Sequence, residues 1–210
     1  IANGKPQHVK GFLPEFKKTA QASAKILNTL HASGIAMIGA DPSLVLCYRD
    51  EYQQILGDER GDFKVNLVHE WINNIKLPKF EHMTTENEYY LFGHCSEKTA
   101  LPKSEAHWGM IFEQFGLKLN VIPVGCCGMA GTYGHESQNL ENSKQLYNMS
   151  WQQKVDKYDA KQVLATGYSC RSQVKRLSNI QPQHPLQVLL DVCSKNKTVI
   201  NAQHSKQVVN

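Results

Sequence analysis

Four short apolar runs limit what this chain can fold into more than any other feature of the sequence. Each run is rich in β-branched or aromatic residues and stops near a glycine; they cover Ile35–Ile38, Tyr89–Phe92, Asn120–Val124 and Gln162–Ala165. Because such residues pack well on a pleated, buried surface, we predict a strand at each run.

Segments with helical periodicity lie between these runs. The predicted helices are Phe12–His31, Val65–Ile75, Ser104–Phe115, Ser137–Tyr158 and His184–Cys193. Gly34 is placed to end the first of them, since glycine readily adopts the left-handed conformation that stops a helix. Strands that alternate with helices favour an α/β fold with mainly parallel sheets flanked by helices.

Two segments are weakly similar to each other: each has a strand, a turn with a cysteine just after it, and a helix. They cover Ile35–Tyr52 and Gln162–Leu177, so we expect two weakly related βα units. We divide the chain accordingly. Residues 1–80 would be the end of a first cysteine-rich repeat with linking helices, residues 81–194 a second repeat, and residues 195–210 a polar tail.

Composition excludes several classes of protein. Of the 210 residues, 41% are hydrophobic and 20% charged, as in a globular domain, and no apolar stretch approaches the roughly 20 residues of a membrane span. The net charge of +4 is mild, and the basic residues between Lys161 and Lys197 are too dispersed for a nucleic-acid surface. The first residue is Ile1 and not Met, which we read as the cut edge of a longer protein.

The six cysteines are too few for a secreted disulfide scaffold. In a reducing compartment, clustered cysteines more often serve a metal or catalysis. We therefore expect a cytoplasmic protein, and leave open a peripheral association with the inner membrane.

Four cysteines follow predicted strands. Cys95 and Cys170 each come shortly after one strand, and Cys126 and Cys127 come shortly after a third. The carboxyl ends of parallel strands meet at one edge of a sheet, where open α/β folds place ligands. Four thiolates match the needs of one [4Fe–4S] cluster, so these four cysteines are the predicted metal ligands.

Glycines recur around the adjacent cysteine pair, and we predict that Gly125, Gly128 and Gly131 contact the cofactor. Without a Cβ atom they let the backbone approach a bulky inorganic group, and their N–H groups can donate to sulfur. Structural zinc ranks lower, because no Cys-x-x-Cys knuckle is present. Two other functions stay open: thiol–disulfide chemistry at Cys126 and Cys127, and a docking domain without a cluster.

These motifs resemble the cysteine-rich "CCG" domain. That domain occurs in heterodisulfide reductase, in anaerobic glycerol-3-phosphate dehydrogenase, and at the C-terminal end of large FAD-linked D-2-hydroxyacid dehydrogenases of the D-2-hydroxyglutarate/D-lactate type. The segments Gly-Cys-Cys-Gly-Met-Ala-Gly-Thr-Tyr-Gly, Ser-Cys-Arg-Ser-Gln, Asp41-Pro42-Ser43 and His184-Pro185-Leu186 are most similar to the last group. Leu44 and Gly167 stand where the domain often has another cysteine, so the resemblance implies no cluster in the first repeat and a structural role for Cys47.

The resemblance also implies a function and partners. In such enzymes an FAD domain oxidises a D-2-hydroxyacid, and an iron–sulfur module relays the electrons from the flavin to a quinone or another acceptor. This chain has no flavin-binding pattern of its own. We therefore expect FAD to lie in the remainder of the parent protein, and the FAD-binding domain to be the partner of this module.

Overall fold

The computed structural model describes residues 1–77 and 88–194, and it confirms the α/β class. Two small parallel sheets are flanked by helices. The predicted polar tail from residue 195 and the division after residue 80 lie outside the described residues.

The first half carries a two-stranded sheet, in which β1 and β2 are parallel and Met37 lies opposite Val65. A π-helical turn at Cys47–Glu51 joins α3 to α4. The helices and strands of this half are α1 (Lys5–Val9), α2 (Leu13–Ala32), β1 (Met37–Gly39), α3 (Pro42–Leu46), α4 (Tyr52–Leu56), β2 (Val65–Leu67) and α5 (Val68–Asn73).

The second half carries a three-stranded parallel sheet in the order β4–β3–β5. In chain order its elements are β3 (Glu88–Phe92), α6 (Cys95–Ala100), α7 (Ser104–Gln114), β4 (Lys118–Val121), α8 (Leu140–Ser150), α9 (Gln152–Val155), β5 (Val163–Ala165), α10 (Tyr168–Ser178) and α11 (185–194).

Gly34 ends α2 as predicted. Its φ is +72°, the Ile35 N–H donates to the Leu30 carbonyl at 3.1 Å, and its own N–H donates to the His31 carbonyl at 3.0 Å. This pair of bonds is a Schellman motif, which satisfies carbonyls that a helix end leaves free. Among the described residues no helix, α2 included, is both long and apolar enough to cross a membrane.

Two predicted helices are wrong in part. Val65–Ile75 begins with strand β2 and becomes helical only at Val68, because Val65–Leu67 pairs with β1 and tertiary pairing overrides helical spacing. Ser137–Tyr158 begins with a 3-10 turn and is interrupted at Trp151 between α8 and α9. The indole of Trp151 donates to the Gly125 carbonyl at 3.0 Å, so this interruption contacts the cysteine loop.

The predicted strands exist with shifted limits. β4 is Lys118–Val121 where Asn120–Val124 was predicted, because its residues pair with Glu88–Leu91 and Pro123 has no N–H for a ladder. β1 begins two residues later than predicted, at Met37.

The three-stranded sheet is the middle of three layers. Successive side chains of a strand point to opposite faces, so each strand contributes to the core on both sides of the sheet. Leu91 and Leu164 pack with α7 and α11 on one face, while Phe92 and Val163 pack with α8, α9 and α10 on the other. Both faces are therefore covered, and the strand ends are left as the place for a site.

Candidate metal centre

Cys95 follows the end of β3. His94 is the N-cap of α6, and Cys95 is the first residue of that helix, with its side chain partly buried. The His94 N–H donates to the Thr166 hydroxyl at 3.0 Å, which ties this turn to the end of the neighbouring strand β5.

Cys170 lies at the same edge of the sheet. It is the third residue of α10, whose N-cap is Gly167, and its side chain is buried. Phe92 of β3 lies opposite Ala165 of β5, so the turns that carry Cys95 and Cys170 leave the sheet side by side.

Cys126 and Cys127 lie in the loop that follows β4, and three side chains hold that loop in place. Lys98 Nζ donates to the Val124 carbonyl at 2.6 Å, the indole of Trp151 donates to the Gly125 carbonyl, and the Gly125 N–H donates to Ser150 Oγ at 3.2 Å. The loop backbone is therefore fixed by hydrogen bonds from α6 and from the residues around the α8–α9 break.

The four thiols form a continuous series of contacts. The Cys95 thiol interacts with that of Cys126, Cys126 with Cys127, and Cys127 with Cys170. All six cysteines of the chain are free thiols. The structure thus brings together the four cysteines that the sequence singled out, from the ends of three parallel strands.

The surroundings of Cys95 and Cys127 favour the protonated thiol. The interaction with the Cys126 thiol, together with burial, raises the pKa of Cys95. At Cys127 the interaction with Cys126 lowers the pKa, but the interaction with Cys170 and burial outweigh it, and the net pKa is raised. A group that is to hold these sulfurs as thiolates must therefore supply positive charge.

The three predicted cofactor glycines have different surroundings. The Gly128 N–H donates to Cys126 Sγ at 3.4 Å, with φ of +84°. A Cβ on Gly128 would collide with the backbone carbonyl of Ser143, so only glycine fits there. The N–H of Gly125 is taken by Ser150, and Gly131, with φ of +68°, lies against Val9.

A clamp of three side chains, which sequence reasoning missed, fixes the rest of the glycine loop. Gln173 Nε2 donates to Ser143 Oγ at 2.8 Å, Arg176 Nη2 donates to Gln173 Oε1 at 2.6 Å, and Arg176 Nη1 donates to the Gly134 carbonyl at 2.5 Å. The helical spacing of Gln173 and Arg176, three apart on α10, was readable from the sequence, but their loop partners were not.

The donor set suits an iron–sulfur cluster better than a single ion. Within residues 1–77 and 88–194, no three His, Cys, Asp or Glu side chains are arranged to hold one metal ion. A [4Fe–4S] cluster instead binds each thiolate at a different iron atom, so it needs four sulfurs around a larger body. Four thiols from three strand ends, with Gly128 leaving room and donating to sulfur, fit that requirement.

Cys47 and Cys193 have other surroundings. Cys47 is buried in the core of the first half with Phe16 and Tyr52, and burial, followed by the charge of Glu51, raises its pKa to about 12. Cys193 packs at the edge of the core formed by α7 and α11. Both positions match small hydrophobic residues.

Comparison with known proteins finds relatives over most of this chain. It is 54% identical over 190 residues to the D-2-hydroxyglutarate dehydrogenase of Pantoea ananatis and 51% identical over 190 residues to that of Escherichia coli K12; each match covers 90% of this chain and 19% of the relative. It is 22% identical over 198 residues to one polypeptide of the anaerobic glycerol-3-phosphate dehydrogenase of E. coli K12, covering 89% of this chain and 48% of that polypeptide. No protein-family model and no solved structure gives a significant match.

The chain is therefore related to a region of these dehydrogenases, and it spans about a fifth of the length of the D-2-hydroxyglutarate dehydrogenases that it matches.

Proposed function

We propose that this chain is the iron–sulfur electron-transfer module of a larger FAD-linked D-2-hydroxyacid dehydrogenase, and that Cys95, Cys126, Cys127 and Cys170 bind its cluster. One observation carries the proposal: thiols from three parallel strand ends meet in a continuous series of contacts beside a glycine that donates to sulfur. The relatives support the wider setting, because this chain matches only about a fifth of each D-2-hydroxyglutarate dehydrogenase.

The need for such a module follows from electron counting. Oxidation of a D-2-hydroxyacid to the 2-oxoacid releases two electrons and two protons, and a flavin takes both electrons together. A quinone or another acceptor then receives them, often singly. When bound, a [4Fe–4S] cluster supplies the one-electron steps between the two.

The protein's own residues would hold the cluster and set its surroundings. Cys127 and Cys170 are buried, so water is excluded from that side, while Cys95 and Cys126 are partly exposed. The Gly128 N–H donates to Cys126 Sγ, and a hydrogen bond to a ligating sulfur raises the reduction potential by stabilising its negative charge.

Thiol–disulfide chemistry at Cys126 and Cys127 has less support. A reactive thiol needs a lowered pKa and an electropositive, accessible setting. The Cys127 thiol is buried and its pKa is raised. Buried thiols that contact one another in this way are better suited to share a bound cationic group.

The test is anaerobic purification of the full-length protein that contains this chain, followed by iron and sulfide analysis and electron paramagnetic resonance. We expect about four iron and four sulfide per chain from this site, as a [4Fe–4S] cluster requires. Active protein without iron would overturn the proposal. An iron-free protein with a Cys126–Cys127 disulfide that forms and breaks during turnover would favour thiol chemistry.

A further inference from the structure

A buried hydroxyl joins the end of β5 to the turn and the helix that carry Cys95. Thr166, at the end of β5, is 1% exposed, and its Oγ1 accepts the His94 N–H at 3.0 Å. The same hydroxyl donates to Glu97 Oε2 at 2.5 Å, and Glu97 is 2% exposed. One side chain thus contacts the residue before Cys95 and the residue two after it.

The other end of this link is tied to α10. Arg171 Nη1 donates to the carbonyls of Ala165 and Thr166, at 2.9 Å each, and Arg171 directly follows Cys170. An arginine stays protonated in proteins, so the Arg171 guanidinium keeps all its N–H groups as donors for these carbonyls. The strand end, the start of α10 and the turn before α6 are therefore held by one set of bonds.

The free-energy cost of burying the Glu97 side chain points to a role other than stabilising the fold. A buried carboxylate is expensive, and well-packed apolar residues are often as stable as a buried polar pair. Glu97 Oε1 lies 3.2 Å from His69 Nε2, but that contact does not have hydrogen-bond geometry, so the Thr166 hydroxyl is the better partner of this carboxylate.

We propose that Thr166 and Glu97 are positioning residues that fix the separation of Cys95 and Cys170 for the cluster. This inference rests on the proposed function and deepens it. Neither residue is a cluster ligand. They act through the backbone on either side of Cys95, as the outer residues of a metal site orient its ligands.

Two substitutions at one position provide the test in full-length protein purified anaerobically. Thr166→Val keeps the shape and removes both hydrogen bonds, whereas Thr166→Ser keeps both. We expect Thr166→Val to weaken cluster binding by about 10- to 100-fold and to change the paramagnetic spectrum and the midpoint potential. Thr166→Ser should restore the wild-type values. Thr29→Val, which removes an exposed hydroxyl bonded to the Lys25 carbonyl, is the matched control and should change none of them.

The outcomes separate this inference from the proposed function. Wild-type protein without iron overturns both. A loaded Thr166→Val variant with the spectrum and potential of the wild type overturns the positioning role alone. If Thr166→Val does not fold by circular dichroism, Glu97→Met takes its place, because it removes the acceptor and leaves the Thr166–His94 bond. Unchanged iron content and potential in a folded Glu97→Met variant would equally overturn the inference.

Discussion

Two strand–turn–helix units of this molecule share a pattern and use it differently. In the first half, β1 leads into α3 and then to Cys47; in the second half, β5 leads into α10, which carries Cys170. Cys47 is buried among aromatic rings of the first core, whereas Cys170 contacts Cys127 at the edge of the sheet. The same local pattern therefore places one cysteine in a core and the other in a site.

The position of each cysteine along its helix explains the difference. Cys170 is three residues after the N-cap Gly167, in the first turn of an 11-residue helix and therefore close to the end of β5. Cys47 is six residues after the N-cap Asp41, where the helix has turned it toward the core and continues as a π-helical turn. About three residues along the helix, less than one turn, separate the proposed cluster ligand Cys170 from the packing residue Cys47.

The number of strands adds to the contrast. The second sheet offers three neighbouring strand ends, from which the four thiols come, while the first sheet has two strands among the described residues. Gly167 is also necessary to the second unit, because a Cβ there would collide with the imidazole of His94. Leu44, at the matching place in the first unit, is exposed.

The strongest way to break this comparison is to remove the sulfurs one at a time. Serine at Cys95, Cys126, Cys127 or Cys170 should abolish or severely weaken cluster binding, because the site has no spare thiolate. Cys47→Ser should keep full iron content and the wild-type paramagnetic signal. Iron lost from the Cys47 variant, or kept at wild-type affinity in the Cys170 variant, would reverse the roles that we assign to the two units.

A glycine from each half gives the next largest contrast. Gly128→Ala should destabilise the protein by about 4 kcal/mol, since it adds a strained left-handed backbone to overpacking against the Ser143 carbonyl. Gly34→Ala has a similar φ but open space around its Cβ, and should cost only about 1–2 kcal/mol. Denaturant unfolding measures both values. Equal costs would mean that the cysteine loop is not held as tightly as its contacts indicate.

Acid should destabilise the second half first. Burial, followed by the charge of Arg171, lowers the pKa of His184 from 6.5 to about 4, and burial lowers that of His94 as well. Between about pH 4 and pH 6.5, His184 is therefore protonated in the unfolded chain but neutral in the folded protein. Stability should therefore fall as the pH drops from about 6.5 to 4, by on the order of 3 kcal/mol for His184.

Unfolding at a series of pH values checks this expectation. In the wild type the Leu186 N–H donates to His184 Nδ1 at 3.1 Å, and His184→Asn keeps an acceptor for it. This variant should flatten the dependence of the unfolding free energy on pH. Hydrogen exchange should show β3 and β5 losing protection before β1. The same slope in the variant and the wild type would exclude His184 as the cause.

The smallest effect concerns the first core. The Tyr52 hydroxyl donates to the Asn3 carbonyl at 2.9 Å, so Tyr52→Phe should cost about 1 kcal/mol and leave iron content unchanged. Tyr147→Phe, which removes a 2.7 Å bond to Ser178 in the second half, is the matched variant and should cost a similar amount. A loss of iron in Tyr52→Phe would show that the first core and the cysteine site are coupled, which would contradict the difference between the two halves.

Sequence reasoning anticipated the parts of this molecule that local chemistry determines. Gly34 as a helix stop, parallel strands near the predicted runs, and four cysteines beyond three strand ends could all be read from residue type and spacing. It failed where long-range pairing decides, as at Val65–Leu67, which has helical spacing but joins β1. Its proposal for the cluster ligands stays a prediction.

The residues around the site were harder to anticipate. Glu97 and Thr166 have no distinguishing pattern in the sequence, and charged residues are nearly always exposed, so burial of Glu97 ran against expectation. Trp151 falls inside one long predicted helix, yet it interrupts that helix, and its indole donates to the Gly125 carbonyl. Such partners depend on how elements pack, which short segments do not specify.

The central claim is that this chain passes electrons from a flavin through a cluster held by four thiolates. Substrate reduction followed by electron paramagnetic resonance tests it most directly. D-2-hydroxyglutarate, the compound in the relatives' name, would be added anaerobically to the full-length protein and the sample frozen. We predict the signal of a reduced [4Fe–4S] cluster in the wild type and in Cys47→Ser, and its absence in Cys127→Ser. A bleached flavin in iron-loaded wild-type protein, with no cluster signal at any time, would contradict the account.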